Sequence, residues 1–421
     1  MAQSAGKVLE GVFAVNKPPS ISSAQVLRDL QNAFRTSETF APLLKQTDAQ
    51  DAQNRQRAKR RKIDNDNAFK MGHGGTLDPM ATGVLIVGIG RGTKSLQSFL
   101  DCTKTYETVV LFGKSTATYD VAGKVVASAD TSKIDRRLVE DKLSAFRGDI
   151  KQVPPIYSAL KINGIKAYDY ARSGKELPRE LAARDMKVSE CVLLDWYEAG
   201  QHDFRWPAEE APQAEKDVLS KLTNKTKGTS GQESDVEPLH KNVGGEKENS
   251  NADHQAQRAV LDTPRDADNT HAHARKEKAS MHTHTITGLS ELPANAPAAR
   301  IKLTVSSGFY VRSFAHDLGI ACGSYGTMAE LARTRQGAYT AVQSEDAEFF
   351  PAVEYADLGR GEAAWSPRIT EVLSAWLAQN PAEQNTASRN NNSSAQTFRH
   401  KNDGQNFHKN RSKRRNSSSP E

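Results

Sequence analysis

Apolar residues fall in short runs whose period changes along the chain, and the runs are separated by long polar stretches. Gly11–Asn16 (GVFAVN) predicts a strand ending at Lys17-Pro18-Pro19. Ser22 or Ser23 can then cap a helix burying Val26, Leu27, Leu30 and Phe34. Val84–Ile89 predicts a buried strand, and Thr93 a cap for a helix carrying Leu96, Phe99 and Leu100. Thr105–Gly113 is another strand. Ser132 is the expected cap of a helix turning Leu138, Leu143 and Phe146 inward, with Gly148 where a helix often stops. Pro154-Pro155 breaks the pattern before Ser158–Ile162, and Met186–Tyr197 and Asp203–Trp206 read as extended. Arg300–Ser307 alternates most cleanly, with Ile301, Leu303 and Val305 on one face and Lys302 and Thr304 on the other. A helix follows, with Tyr310, Phe314 and Leu318 one turn apart.

Strands outnumber helices and no regular βαβ repeat emerges, so the pattern favours an α+β class. Thr36–Ala68, Pro207–Ala299 and Pro381–Glu421 have almost no apolar periodicity. They are expected to be disordered: two inserts, at about 36–68 and 207–299, inside one domain spanning 1–380, then a basic tail over 381–421. The remainder is long enough to bury one large core.

Charge adds little until it is located. The net charge is +6, but the tail from Pro381 holds eight Lys/Arg against three Asp/Glu, so any nucleic-acid footprint on the core must be local. Cys102, Cys191 and Cys322 stand apart with no CxxC spacing, which suggests neither a disulfide framework nor a zinc site. No apolar run approaches the ~20 residues of a membrane span. The start, Met-Ala-Gln-Ser-Ala-Gly-Lys, lacks the features of a signal or transit peptide, so a soluble intracellular protein without a membrane partner is expected.

The most informative stretch is Met71–Lys94, MGHGGTLDPMATGVLIVGIGRGTK, where glycines and a proline surround His73, Thr76 and Asp78. Asp78 lies in a tight turn just before a buried strand, where rigid backbone can hold a catalytic carboxylate; an Asp-Pro turn that merely starts the strand fits equally well. Gly88–Ser95 only superficially resembles a phosphate loop, since no Gly-Lys pair stands at the needed spacing. Six of the eleven histidines (His240, His254, His271, His273, His282 and His284) lie in the low-complexity insert and form no metal frame. No metal is expected.

Successive blocks then carry a family resemblance. Asn16-Lys17-Pro18, GHGGTLDPMATGVLIVGIGRGTK, Lys104-Thr105-Tyr106-Glu107 and Leu111-Phe112-Gly113 resemble, in order, the motifs of TruB-type pseudouridine synthases. So do Phe146-Arg147-Gly148, Gln152–Lys161 (QVPPIYSALK), Tyr168 with Ala171-Arg172-Ser173-Gly174, Ser307–Arg312 (SGFYVR), Asp317-Leu318-Gly319 and Leu331–Gly337 (LARTRQG). The resemblance implies a mixed, mainly antiparallel central sheet with flanking helices, and a monomer that needs no cofactor. It implies conversion of a T-loop uridine of tRNA, position 55, to pseudouridine, with other RNAs carrying a similar loop as further possible partners. It makes Asp78 the essential carboxylate, Tyr106 the tyrosine that stacks on the target base, and Arg312 the partner of the aspartate. His73 corresponds to a histidine holding the opened RNA loop, and Tyr310 and Leu331 to residues lining the uracil pocket; ordinary core roles are open for these three.

The chemistry agrees. Breaking the N1–C1′ bond and rejoining uracil through C5 changes the charge on the sugar, so an aimed carboxylate can stabilise a sugar cation or attack it. The target base must leave its stack, which gives an aromatic side chain a use. The family's usual Gly after Asn-Lys-Pro-x is Ser20 here, and little periodic sequence follows residue 350, so no C-terminal RNA-binding domain is expected. That favours a stand-alone eukaryotic enzyme over a guide-RNA-dependent synthase of ribosomal RNA. The intact Asp78, Tyr106 and Arg312 set argues against an RNA-folding protein with incidental catalysis, although a folding role can coexist with the activity. The basic runs Lys59–Lys62 and Lys413–Arg415 fit nuclear-import signals, phosphate contacts or merely solvated charge; the nucleus and/or mitochondrion is expected, with the cytoplasm open.

Overall fold

The longest runs of buried residues form the middle of one sheet in the computed structural model, which describes residues 7–57, 68–158, 160–173, 177–213, 215–217, 288–292, 294–343 and 348–381. The first part holds β1 (Gly11–Lys17), α1 (Ser23–Arg35), α2 (Ala41–Arg57), β2 (Met71–His73), β3 (Thr82–Ile89) and α3 (Leu96–Asp101). Next come β4 (Lys104–Phe112), β5 (Lys114–Thr116), β6 (Val125–Ser128), α4 (Arg136–Leu143), β7 (Gly148–Gln152), β8 (Lys161–Ile162), β9 (Ile165–Lys166), α5 (Ala167–Arg172) and β10 (Arg184–Tyr197). The last part holds β11 (Ala298–Val305), α6 (Val311–Ala321), β12 (Gly326–Gln336), β13 (Tyr339–Thr340), β14 (Phe350–Pro351), β15 (Val353–Glu354) and α7 (Glu362–Gln379).

Among the described residues the main sheet has the order β15-β1-β3-β12-β4-β11-β10-β7, with β2 on β3 and β13 and β14 beyond β12. All its pairs are antiparallel except β1–β15, β3–β12 and β13–β14. This is the expected mixed, mainly antiparallel α+β sheet. Burial explains the order. Val84–Val87 and Val109–Phe112 are buried residue after residue, because both faces of the central strands are covered, whereas β7 at the edge is mostly exposed.

Several local expectations need correction. Ser22, not Ser23, caps α1 by accepting the Gln25 N–H at 3.1 Å, which leaves Ser23 buried and free for another task. Val26, Leu30 and Phe34 face inward as the period requires, but Leu27 is only half-buried. Thr93 caps nothing. Its hydroxyl donates to Gly90 O at 2.8 Å inside a 3₁₀ turn, Gly90–Ser95, that runs into α3, and Leu100 is exposed. Asp135 rather than Ser132 caps α4, accepting from Leu138 N at 2.7 Å. Tyr310 precedes α6 as its N-cap residue, and Asp203–Trp206 forms no named strand.

The stretch 36–68 is not uniformly irregular. It contains α2, and Phe40 at the entry to that helix is fully buried, stacked on Phe34 with centroids 4.2 Å apart and near Phe69 and Trp365. Burying one such ring contributes about 1.5–3 kcal/mol. Glu362 at the start of α7 accepts from Glu38 N, Thr39 N and the Thr39 hydroxyl, fixing the turn before α2. A polar helix anchored at one end escapes a search for apolar periodicity. The basic run Lys59–Lys62, Lys413–Arg415 and the six insert histidines lie outside the described residues. Both ends of the second expected insert are ordered as well. Pro207 pairs with Leu289, Ala294 N donates to Phe204 O, and Ala298 and Ala299 begin β11.

Two outcomes test these contacts. Deleting 207–299 removes the start of β11 and should abolish cooperative thermal unfolding, whereas deleting only 218–287 should keep it. Ser20 is held at φ 69°, a conformation costing a non-glycine residue about 1–2 kcal/mol. Ser20→Gly should therefore raise the urea midpoint, by roughly 1 kcal/mol of stability.

Candidate active site

Asp78 is the one acidic side chain in a stretch of buried neighbours, Leu77 and Met80–Ala81, just before β3. The turn closes through Ala81 N donating to Asp78 O at 3.0 Å. It is pinned from outside. The buried Ser23 hydroxyl donates to Leu77 O at 3.0 Å and accepts from Leu77 N at 2.9 Å. The Lys17 ammonium, wholly buried at the end of β1, donates to Pro79 O at 3.0 Å and to Pro18 O at 2.8 Å. Burial lowers the Lys17 pKa to about 8, against the attraction of Asp78, which raises it.

The Gly74-Gly75 backbone just upstream is held by β12. Arg333, almost fully buried, donates to Gly75 O at 3.1 Å and to Val84 O at 2.7 Å. Gln336 donates to Gly74 O and Phe99 O. Gly83 (φ 94°) lets β3 pass this close, since a Cβ there would meet Arg333 O at 2.2 Å.

Arg312 reaches Asp78 from the first turn of α6. Its Nε lies 3.0 Å from Asp78 Oδ2 and 3.7 Å from Asp120 Oδ2. Its two remaining nitrogens donate to Thr118 O at 3.2 Å and Tyr157 O at 3.1 Å. The arginine side chain is 10% exposed and that of Asp120 8%, while Asp78 is 35% exposed. The carboxylate thus opens to solvent on one side and meets a buried cation on the other. Burial raises the Asp120 pKa against the pull of Arg312, and the Thr118 hydroxyl (2.6 Å) and Ala122 N–H (3.1 Å) also hold its carboxylate.

Tyr310 is placed by Gln152, whose amide accepts from Tyr310 N at 2.8 Å and donates to Tyr310 O at 3.0 Å. Tyr106 lies in register with Arg333, which is in register with Gly83, five residues after Asp78. Tyr106 and Leu331 are both 8% exposed members of the hydrophobic core. His73 stands half-buried on β2; burial, and then Arg333, lower its pKa, and its Nδ1 has no hydrogen-bond partner in the structure. Arg312 and Asp78 are therefore in contact, Tyr310 lies two residues from Arg312, and Tyr106, Leu331 and His73 stand on β4, β12 and β2 of the main sheet.

Residues 60–210 match the model described as TruB family pseudouridylate synthase, N-terminal domain. A Schizosaccharomyces pombe protein described as tRNA pseudouridine synthase 4 is 38% identical over 345 residues, covering 78% of this chain and 79% of its own. The chain belongs to the TruB family. The Saccharomyces cerevisiae protein of the same description is 31% identical, with 87% of this chain and 85% of its own length covered. Among solved structures, "Crystal Structure of a Cbf5-Nop10-Gar1 Complex" aligns with TM-score 0.39 at 17% identity, over 85% of this chain and 56% of that one. So slight a likeness carries no argument about assembly.

Sequence reasoning missed Asp120, Ser23 and the depth at which Lys17 is buried. Lys17 and Gln152 stand inside the TruB-family blocks, whereas nothing local marks Asp120, and Ser23 is marked only as a possible helix cap. Between about pH 8, the folded pKa of Lys17, and its ordinary 10.5, the unfolded chain holds more protons at this residue than the folded one. Stability contributed by this group therefore rises with pH through that window. From pH 7 to 10.5 the unfolding free energy of wild type minus that of Lys17→Met should rise, because only the wild type gains from this group. Parallel curves would show that Lys17 titrates normally.

Proposed function

We propose that this chain isomerises uridine 55 in the T-loop of tRNA to pseudouridine, with Asp78 as the catalytic carboxylate. The observation that carries the reading is Asp78 itself: half-open, fixed in a rigid turn and paired with a buried arginine. The descriptions of the two yeast relatives support tRNA as the substrate class.

The reaction conserves atoms and oxidation state. The N1–C1′ bond breaks, the freed uracil turns, and C5 bonds to C1′; the C5 proton leaves and N1 gains one. Positive charge gathers at C1′ in between, and a carboxylate aimed there meets it as counter-ion or by bonding to it. Arg312 aims the carboxylate through a planar fork whose other donors are already committed to two carbonyls. The isomerisation calls for no cofactor. Tyr106, Tyr310 and Leu331 supply the apolar wall for a turned-out base, and His73 a polar group beside the RNA loop. The basic runs at Lys59–Lys62 and Lys413–Arg415 support nuclear import as part of the same proposal.

Pseudouridine mapping on a tRNA transcript incubated with purified protein tests the reading. Asp78→Asn should abolish the signal at position 55 while tRNA affinity stays within a few-fold; a fully active Asp78→Asn protein would sink the assignment. Arg312→Lys should also lose most turnover, because a point charge cannot replace the fork. At Tyr106 the informative change is to Phe, since Ala would open a cavity costing about 3–5 kcal/mol. Tyr106→Phe should bind tRNA normally, and a slow rate in it would assign a role to the hydroxyl.

A further inference from the structure

Tyr119 is one of few described non-glycine residues with positive φ, at 62°. Its neighbours on both sides serve Arg312: Thr118 accepts from the guanidinium through its carbonyl, and Asp120 faces it through its carboxylate. The turn that brings both groups to one cation therefore passes through a strained tyrosine. Two backbone bonds tie this segment to β12, Met328 N to Tyr119 O at 3.0 Å and Val121 N to Met328 O at 3.1 Å. The Tyr119 ring lies flat on His316, with centroids 4.1 Å apart and planes 13° apart. His316 stands four residues after Arg312 on α6, hence on the same helix face one turn on. Its own ring is set by the Ser115 hydroxyl, 3.3 Å from Nδ1, and by Tyr325, nearly parallel to it at 6.4 Å.

We propose that Tyr119 and His316 are positioning residues: their stack locks the Thr118–Asp120 segment to α6, and so holds Arg312 and through it Asp78 in the reactive geometry. The inference rests on the function proposed above. One face of one helix grips the segment twice, by charge at Arg312 and by ring stacking at His316. The second grip holds an unfavourable backbone conformation in place, as strained residues beside functional groups require. Without it, the segment can relax to negative φ and turn either the Thr118 carbonyl or the Asp120 carboxylate away from the guanidinium.

The test uses the full chain and a tRNA transcript, with single-turnover rate and RNA dissociation constant measured separately and thermal midpoints recorded. Tyr119→Phe keeps the ring and should turn over within about twofold of wild type. Tyr119→Gly accepts the positive φ without strain but removes the ring. It should stay folded and bind RNA normally, yet react about 10–100-fold more slowly, the scale expected for a misplaced reactive group. At position 316, which carries no backbone strain, His316→Phe should keep the rate and His316→Ala lose it. Combining Tyr119→Gly with His316→Ala should cost no more than either change alone. A folded Tyr119→Gly protein reacting at the wild-type rate overturns the proposal, as does a Tyr119→Phe protein as slow as Tyr119→Gly. RNA affinity falling by the same factor as the rate also overturns it, since the rings would then act on the RNA. Wild-type protein that forms no pseudouridine in tRNA overturns the underlying function and this inference with it, an outcome distinct from the others.

Discussion

The buried guanidinium of Arg312 is the interaction on which the geometry around Asp78 depends. Arg312 takes in Asp78, Asp120, Thr118 and Tyr157, and three chain segments that are otherwise unrelated meet at its nitrogens. Burying an arginine is tolerable only when its donors are satisfied and its charge is compensated, and both conditions hold here. The dependence runs both ways. Removing Arg312 would leave Asp120 buried without its cation, a change that typically costs about 3–5 kcal/mol. Asp78 is the exception in this group because it keeps an open side, whereas Asp120 is closed off beside the arginine.

Around this pair, side chains do for an irregular loop what a strand ladder does for a sheet. The segment from His73 to Ala81 lacks a full set of backbone partners, so its carbonyls are taken up by Gln336, Arg333, Ser23 and Lys17. Unpaired buried carbonyls would otherwise cost stability and let the loop drift. Three of these donors are long side chains reaching from β1 and β12, the strands that flank β3 in the sheet. A carboxylate carried on a loop held in this way moves little.

The aromatic wall formed by Phe13, Phe34, Phe40, Phe69 and Trp365 joins α1, the turn before α2 and the start of α7. It lies next to the site in the chain: Phe69 precedes His73 by four residues, and its backbone is bonded at N and O by the Gln31 amide. Phe40 and Phe69, on either side of the stretch between α1 and β2, are thus fastened to the same apolar cluster.

Local sequence determined whatever depends on near neighbours. The runs of β1, β3, β4, β10 and β11, the inward face of α1 and the turn at Asp78 were legible because period and turn chemistry reside in a few consecutive residues. The ordered blocks also marked Asp78, Tyr106, Tyr310, Arg312, Leu331 and His73 as one set. Only the tertiary structure decided that Asp120 shares Arg312, that Lys17 and Ser23 hold the turn at Asp78, and that α2 docks through Phe40. It also decided that Tyr106 and Leu331 belong to the core as much as to any pocket. The physical reason is reach. Arg312 finds Tyr157 and Thr118 across 155 and 194 positions of chain, and the partner of a buried charge is chosen by where the folded sheet leaves a polar group, which no neighbouring residue announces.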